Sequence, residues 1–212
     1  MGAGEGMCMQ GQTGRTLPAA ASWSSPWMRE LRLAVAGRDV LLVGSAPGAL
    51  YRPGKLLVCV NASSLGIDAP TPDVTFFNTF TLTLQTPTAM VTRQLLGALK
   101  TKLLIVIDAA ECGDATPVTY ERRVAFGRAE RNAFLEAAMG ITLTGVAGQH
   151  VPSSGYFAAI ALVMAGVQSL EMTGFSFSGG QSYLAGPTPR AHVEMDRAAL
   201  RWLGRTGMLL DT

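Results

Sequence analysis

Short runs rich in branched and aromatic apolar residues alternate along the chain with longer stretches in which apolar and polar positions recur at helical spacing, and the alternation begins near residue 24. Seven runs rich in Val, Ile, Leu or Phe, at 39–43, 56–60, 73–77, 102–107, 141–145, 168–172 and 207–211, read as strands. A first helix is capped by Ser24 or Ser25, carries Pro26 in its first turn, and runs through Trp27, Met28, Leu31, Leu33 and Val35 to Gly37. Further helices are predicted over 88–100, over 120–138 with Gly127 as a candidate break, over 154–166 and over 190–205. In the last, Arg190, Glu194, Arg197 and Arg201 recur on one side. Strands that are apolar along their whole length are buried on both faces, and helices between them supply the cover. The expected fold is α/β: a Rossmann-like three-layer arrangement with a mostly parallel sheet of about seven strands and helices on both faces.

Composition narrows the reading. A chain of 212 residues, 48% hydrophobic and 15% charged, supports one sizeable core. The expected organisation is a loose N-terminal tail over 1–22 followed by a single domain over 23–212. The 17 basic residues are scattered among 15 acidic ones for a net charge of +2, so no stripe is available to neutralise a nucleic-acid backbone, and nucleic acid is not an expected partner. Cys8, Cys59 and Cys112 are odd in number and lack C-x-x-C spacing, which argues against a disulfide framework and a zinc site and fits a reducing cytoplasm. The longest apolar stretch, Tyr156 to Val167, falls short of the roughly 20 residues a bilayer span needs, so no transmembrane segment is expected. Met1 to Ala21 has one Arg and no sustained apolar block, unlike a secretory signal. A homo-oligomer is compatible with all of this.

Four segments carry candidate chemistry. In the first, the run Asp39 to Val43 enters the turn Gly44-Ser45-Ala46-Pro47-Gly48-Ala49-Leu50, where Gly44 and Ala46 keep side chains out of the way of a phosphate. The second ends a strand in Asn61, which fits a helix cap or turn as well as a ligand contact. The third, Ser153-Ser154-Gly155 at the start of an apolar helix, is a capping signal and equally an anion site. The fourth runs Thr173-Gly174-Phe175-Ser176-Phe177, then Tyr183, then His192 opening a helix with Asp196 one turn later. Ala109 to Val118, Ala147 to Ser153 and Phe175 to Pro189 lack periodicity and are candidates for the ligand-facing edge of the sheet. Residues 175–189, rich in Gly, Ser and Pro, form a candidate lid.

In this order the four segments resemble the bacterial sialyltransferases of glycosyltransferase family 42. There a strand enters a G-N-G-P-S-L turn, a later strand ends in Asn, T-S-G opens a helix, and a G-x-D-F-Y loop precedes a Tyr and a His-bearing helix. The resemblance extends from Gly44 to His192 and implies a Rossmann-like nucleotide-sugar transferase of the GT-A-variant kind. It implies that Gly44, Ser45, Ala46, Asn61, Ser153, Ser154, Gly155, Phe175 and Ser176 form the pocket for a CMP-sugar donor. It further implies that Tyr183 donates to the leaving phosphate and that His192 is the general base in an inverting, metal-independent transfer to a glycan or small-molecule acceptor. The chain departs from the family where the turn Asn is Ser45, where the loop Asp and Tyr are Ser176 and Ser178, and where the basic residue before T-S-G is replaced near Val151. Only eight residues separate Tyr183 from His192, a shorter lid than the family carries. The donor sugar the resemblance implies is sialic acid-like, another nonulosonic acid or Kdo.

The residues support these roles in their own terms. Without a metal, the charge that develops on a nucleotide leaving group must be met by helix N-terminal amides and hydroxyls. Imidazole is the natural base near neutral pH, and His150 and His192 are the two histidines. His192 also reads as a surface histidine paired with Asp196 at i,i+4. Two alternatives stay open: a hydroxymethylpterin pyrophosphokinase-like enzyme, since those proteins share a similar turn and S-S-G helix start, and a nucleotide-binding scaffold without turnover. The pyrophosphokinase reading needs magnesium, and Asp68, Asp73, Asp108, Glu111 and Asp114 form no recognisable cluster in the sequence. No cofactor metal is therefore expected.

Overall fold

The computed structural model describes residues 24–79, 94–109, 117–143, 151–177 and 192–210. The tail 1–22, His150, Tyr183 and most of the candidate lid lie outside the described residues.

Helix α1 (Pro26–Val35) leads into strand β1 (Asp39–Val43), followed by β2 (Leu56–Val60), β3 (Val74–Asn78), β4 (Lys100–Ile107) and β5 (Thr119–Phe126). Helices α2 (Arg128–Met139) and α3 (Ser154–Ala165) precede β6 (Ser169–Thr173), and α4 (Val193–Gly204) ends the described elements. The six strands form one sheet in the order β5-β4-β3-β2-β1-β6, and every pair is parallel. The chain thus winds outward from β1 to β5 and then returns past β1 to lay down β6. This is a Rossmann-like α/β fold, and its topological switch point lies between β1 and β6, where open α/β sheets form a crevice at the carboxyl ends of the strands. Registers place Val43 opposite Thr173, Val60 opposite Phe76 and Asn78 opposite Ile107, so the residues following these strands gather on one rim.

Among the described residues the sheet has six strands, against about seven expected, because three predicted segments fold differently. The predicted helix 120–138 is two elements joined at Gly127. Thr119–Phe126 pairs in parallel with β4 as an edge strand, and its charges Glu121, Arg122 and Arg123 are the kind that edge strands carry toward solvent. Residues 141–143 are not a strand. They leave α2 after Gly140, whose φ of +67° closes the helix in the left-handed region, and the Leu143 amide donates to Glu136 Oε1 at 2.5 Å. Of the described residues 207–210, Leu209 joins the sheet, bridging Leu170 on the outer edge of β6. Of the predicted helix 88–100, residues 94–96 are helical and Lys100 already belongs to β4; residues 88–93 lie outside the described set.

The core explains why α3 lacks an amphipathic pattern. Every residue from Tyr156 to Ala165 is buried, because α3 packs on the sheet with one side and meets α1, α2 and α4 with the others. Trp27, Phe126, Phe134 and Phe157 form an aromatic knot beneath it, with Trp27 and Phe126 centroids 4.5 Å apart. On the opposite sheet face, Leu41, Val43, Leu57 and Cys59 lie under Ala49, Tyr51, Ile67 and Ala69, and Phe77, Leu104 and Val106 under Leu96 and Leu99. The connection from β1 to β2 crosses this face and is held to β6 by buried Glu171, which pairs with Lys55 at 2.5 Å and Arg52 at 2.6 Å. Among the described residues, no helix is long and apolar enough to cross a membrane.

Candidate functional site

At the switch point the backbones of β1 and β6 stay zipped beyond the strand ends. The Gly44 amide donates to the Thr173 carbonyl at 2.8 Å and the Ala46 amide to the Gly174 carbonyl at 2.7 Å. Both turns need glycine for this approach. A Cβ on Gly44 would lie 2.5 Å from the Gly174 carbonyl oxygen, and one on Gly174, which has a φ of +70°, would lie 2.7 Å from the Gly44 carbonyl oxygen. The amides of Gly44 and Ala46 are therefore committed to the β6 segment, with half-buried Ser45 between them.

Phe175 follows Gly174 and its ring lies between the β1 turn and the start of α3. A Cβ on Gly44 would come within 2.9 Å of one ring edge, and a Cβ on Gly155 within 2.7 Å of the other. The ring also meets Tyr156 edge-on at 5.4 Å, Phe177 stacks on Tyr156 at 6.0 Å, and the Arg197 guanidinium stands 5.7 Å from the Phe177 ring centre. Phe175 and Gly155 thus fasten α3 to the switch point by packing, and half-buried Ser176 follows on the same segment.

The ends of β2 and β3 contribute two asparagines. Asn61 sits at a φ of +52°, its amide donating to the Phe76 carbonyl at 2.8 Å and its Oδ1 accepting from the Asn78 amide at 2.9 Å. Asn78 Nδ2 in turn donates to Ser154 Oγ at 3.2 Å, linking the strand ends to the first turn of α3. Buried Ser63 ties β1 to β2, its hydroxyl donating to the Val43 carbonyl and accepting from the Val60 amide. Asn78 and Ser63 were not among the sequence candidates. Asn78 carries the same signal as Asn61, an amide closing an apolar strand, and was readable on that ground. Next along the rim, Asp108, with a φ of +59°, pairs with Arg131 of α2 at 2.7 Å, both side chains buried.

The start of α4 meets the start of α3. His192 Nδ1 lies 2.9 Å from the Val151 carbonyl oxygen, which can only accept, so Nδ1 carries the hydrogen and the lone pair of the neutral ring is on Nε2. The Ser153 amide donates to Asp196 Oδ1 at 2.7 Å. Ser153 is the N-cap of α3 and makes no side-chain cap bond, and the carboxylate from α4 takes up one of the amides that this helix end leaves open. The sequence candidates His192, Ser153, Ser154, Gly155, Phe175, Gly44, Ala46 and Asn61 accordingly belong to one connected region around the switch point. Cys59 is fully buried in β2, and burial pushes its thiol up to about 12. Among the described residues, no group of three or more His, Cys, Asp or Glu side chains could hold a metal ion.

No protein-family model matches the chain, and no curated protein matches it. Solved structures do. The sialyltransferase CstII from Campylobacter jejuni, in complex with the substrate analogue cytidine-5'-monophosphate, superposes with a TM-score of 0.51 at 14% identity, over 81% of this chain and 77% of that one. The sialyltransferase CST-II in complex with a trisaccharide acceptor and CMP gives 0.50 at 12% identity, over 80% of this chain and 77% of that one. The likeness at this identity is one of fold: this chain is similar in its Rossmann-like α/β architecture to these sialyltransferases.

Proposed function

We propose that the protein is a glycosyltransferase that takes a CMP-activated sugar, sialic acid-like or another nonulosonic acid, and passes the sugar to a hydroxyl of a glycan or small-molecule acceptor. The observation that carries this reading is the orientation of His192: a carbonyl at the mouth of α3 holds Nδ1–H and leaves the Nε2 lone pair to act as a base. The fold likeness to sialyltransferase structures that contain CMP and an acceptor supports it.

In this reading the acceptor hydroxyl gives its proton to His192 Nε2 as its oxygen bonds to the anomeric carbon. The bond from that carbon to the phosphate oxygen breaks, the electron pair leaves with CMP, and the configuration inverts. The leaving charge is met by the first-turn amides of α3, the Ser154 hydroxyl and Tyr183, with no metal assigned to the step. Asn61 and Asn78 offer amide donors and acceptors to the nucleoside from the neighbouring strand ends.

A thermal-shift panel tests the donor class. A ligand bound only by the folded state stabilises it by about 2.7 kcal/mol at a hundredfold excess over Kd. CMP is expected to raise the Tm more than UDP or ATP, with EDTA making no difference. A shift seen only with ATP and magnesium would move the assignment to a pyrophosphokinase-like enzyme, and no shift with any nucleotide would reject nucleotide chemistry altogether.

A further inference from the structure

Three hydrogen bonds close a circuit between the starts of α3 and α4. The His192 ring bonds the Val151 carbonyl at 2.9 Å, the Ser153 amide bonds Asp196 Oδ1 at 2.7 Å, and the Asp196 amide bonds the His192 carbonyl at 2.8 Å. Pro152 joins Val151 to Ser153 and restricts the spacer through its fixed φ. All three are of good hydrogen-bond length, and the bond at Nδ1 restrains the turning of the imidazole.

Asp196 is the one charged member. Its side chain is buried, with the residue 2% exposed, a position that is costly for a carboxylate unless strongly compensated. Compensation comes from two helix N-termini at once: Asp196 lies in the first turn of α4 and accepts the N-cap amide of α3. The amide that Asp196 takes up is the N-cap residue's own, which a Ser153 hydroxyl cap, aimed at the second or third helical amide, would leave open. The carboxylate therefore does something a local cap does not, which is to join α4 to residues 151–153.

We infer that Asp196 is a positioning residue: by holding residues 151–153 against the first turn of α4, it keeps the Val151 carbonyl where it fixes both the rotamer and the Nδ1–H tautomer of His192. The inference rests on the assignment of His192 as base for its catalytic meaning, but the geometry it predicts can be measured without turnover. Loss of the clamp would let the base move, and misplacement by about 1 Å can cost up to about 10²-fold in rate.

The test is 15N NMR of the imidazole nitrogens in the full chain with selectively labelled histidine, His192 being assigned with a His150→Gln variant. Wild-type His192 in its neutral form is expected to show Nδ1–H and an unprotonated Nε2. Asp196→Asn keeps an oxygen for the Ser153 amide and is expected to retain the signature, whereas Asp196→Ala is expected to give mixed tautomers and transfer slower by up to about 10²-fold. An Nε2–H wild-type ring, a tautomer unchanged in Asp196→Ala, or one lost in Asp196→Asn overturns the inference. Should Asp196→Ala not fold, the wild-type and Asp196→Asn spectra decide. If the tautomer responds as expected while transfer keeps its rate, the positioning role stands and His192 is not the base.

Discussion

Gly44 and Gly174 meet backbone to backbone across the β1–β6 switch point, so closely that a Cβ on either would fall within 2.7 Å of the other's carbonyl oxygen. The contact partners are backbone atoms and cannot swing aside as a long side chain would. Gly44→Ala is therefore expected to destabilise the fold by about 1–3 kcal/mol, the usual cost of overpacking, and to weaken CMP binding by displacing the Ser45 turn. Denaturant unfolding with and without CMP checks both. Wild-type stability in this variant would mean that the two turns are not in contact.

The Asn78–Ser154 bond couples the β3 end to α3. Ser154→Ala is expected to weaken CMP binding by about 0.5–2 kcal/mol. Combined with Asn78→Ala in a double-mutant cycle, the two changes are expected to fall short of additivity by about 0.5 kcal/mol or more, as for residues in one hydrogen-bond network. Calorimetric affinities for the four proteins, with Tm values of the unliganded forms, give the answer. A fall in Tm with unchanged affinity would make Ser154 a purely structural residue.

His192→Ala separates binding from chemistry. A base acts in the transition state, so CMP affinity is expected to hold while transfer falls by about 10²–10⁴-fold. Slow hydrolysis of the CMP-sugar to water is expected to survive, because Ser154 and the α3 amides remain. Transfer at the wild-type rate would remove His192 from the mechanism and turn attention to His150.

Cys59 is a probe of the fold itself. Its thiol, raised from 9.0 to about 12 by burial, is expected to resist alkylation in the native state and to react only as the chain unfolds. Its raised value also sets the sign of a pH effect: stability is intact below the unfolded thiol's pKa near 9 and declines as pH rises from there toward 12, since the unfolded state loses its proton first. A Cys8→Ser, Cys112→Ser background isolates the site, and rapid labelling at pH 8 without denaturant would contradict its burial.

Apolar runs located β1, β2 and β3 to within about a residue, because strands covered on both faces are largely apolar, and the run around Leu170 and Met172 placed β6 equally closely although it carries Ser169, Glu171 and Thr173. Pro26 with Ser25, and Gly166 after Ala165, likewise marked the ends of α1 and α3, where backbone geometry is local. β5 escaped this reading. Its Glu121-Arg122-Arg123 segment is polar because it lies at the sheet edge, and being at the edge is a property of the sheet order, which no window of sequence contains. The rim shows the same division. Residue types at Gly44, Asn61, Ser154 and His192 marked candidates for chemistry. Only the tertiary structure spends the Gly44 and Ala46 amides on β6, places the Phe175 ring against Gly155, adds Asn78 to the site and joins Asp196 to the Ser153 amide, 43 positions away in the chain. Local sequence dictates which backbone conformations and burial patterns a segment can adopt. Which donor meets which acceptor across the switch point follows from strand order and helix docking, and these are decided by the packing of the whole core.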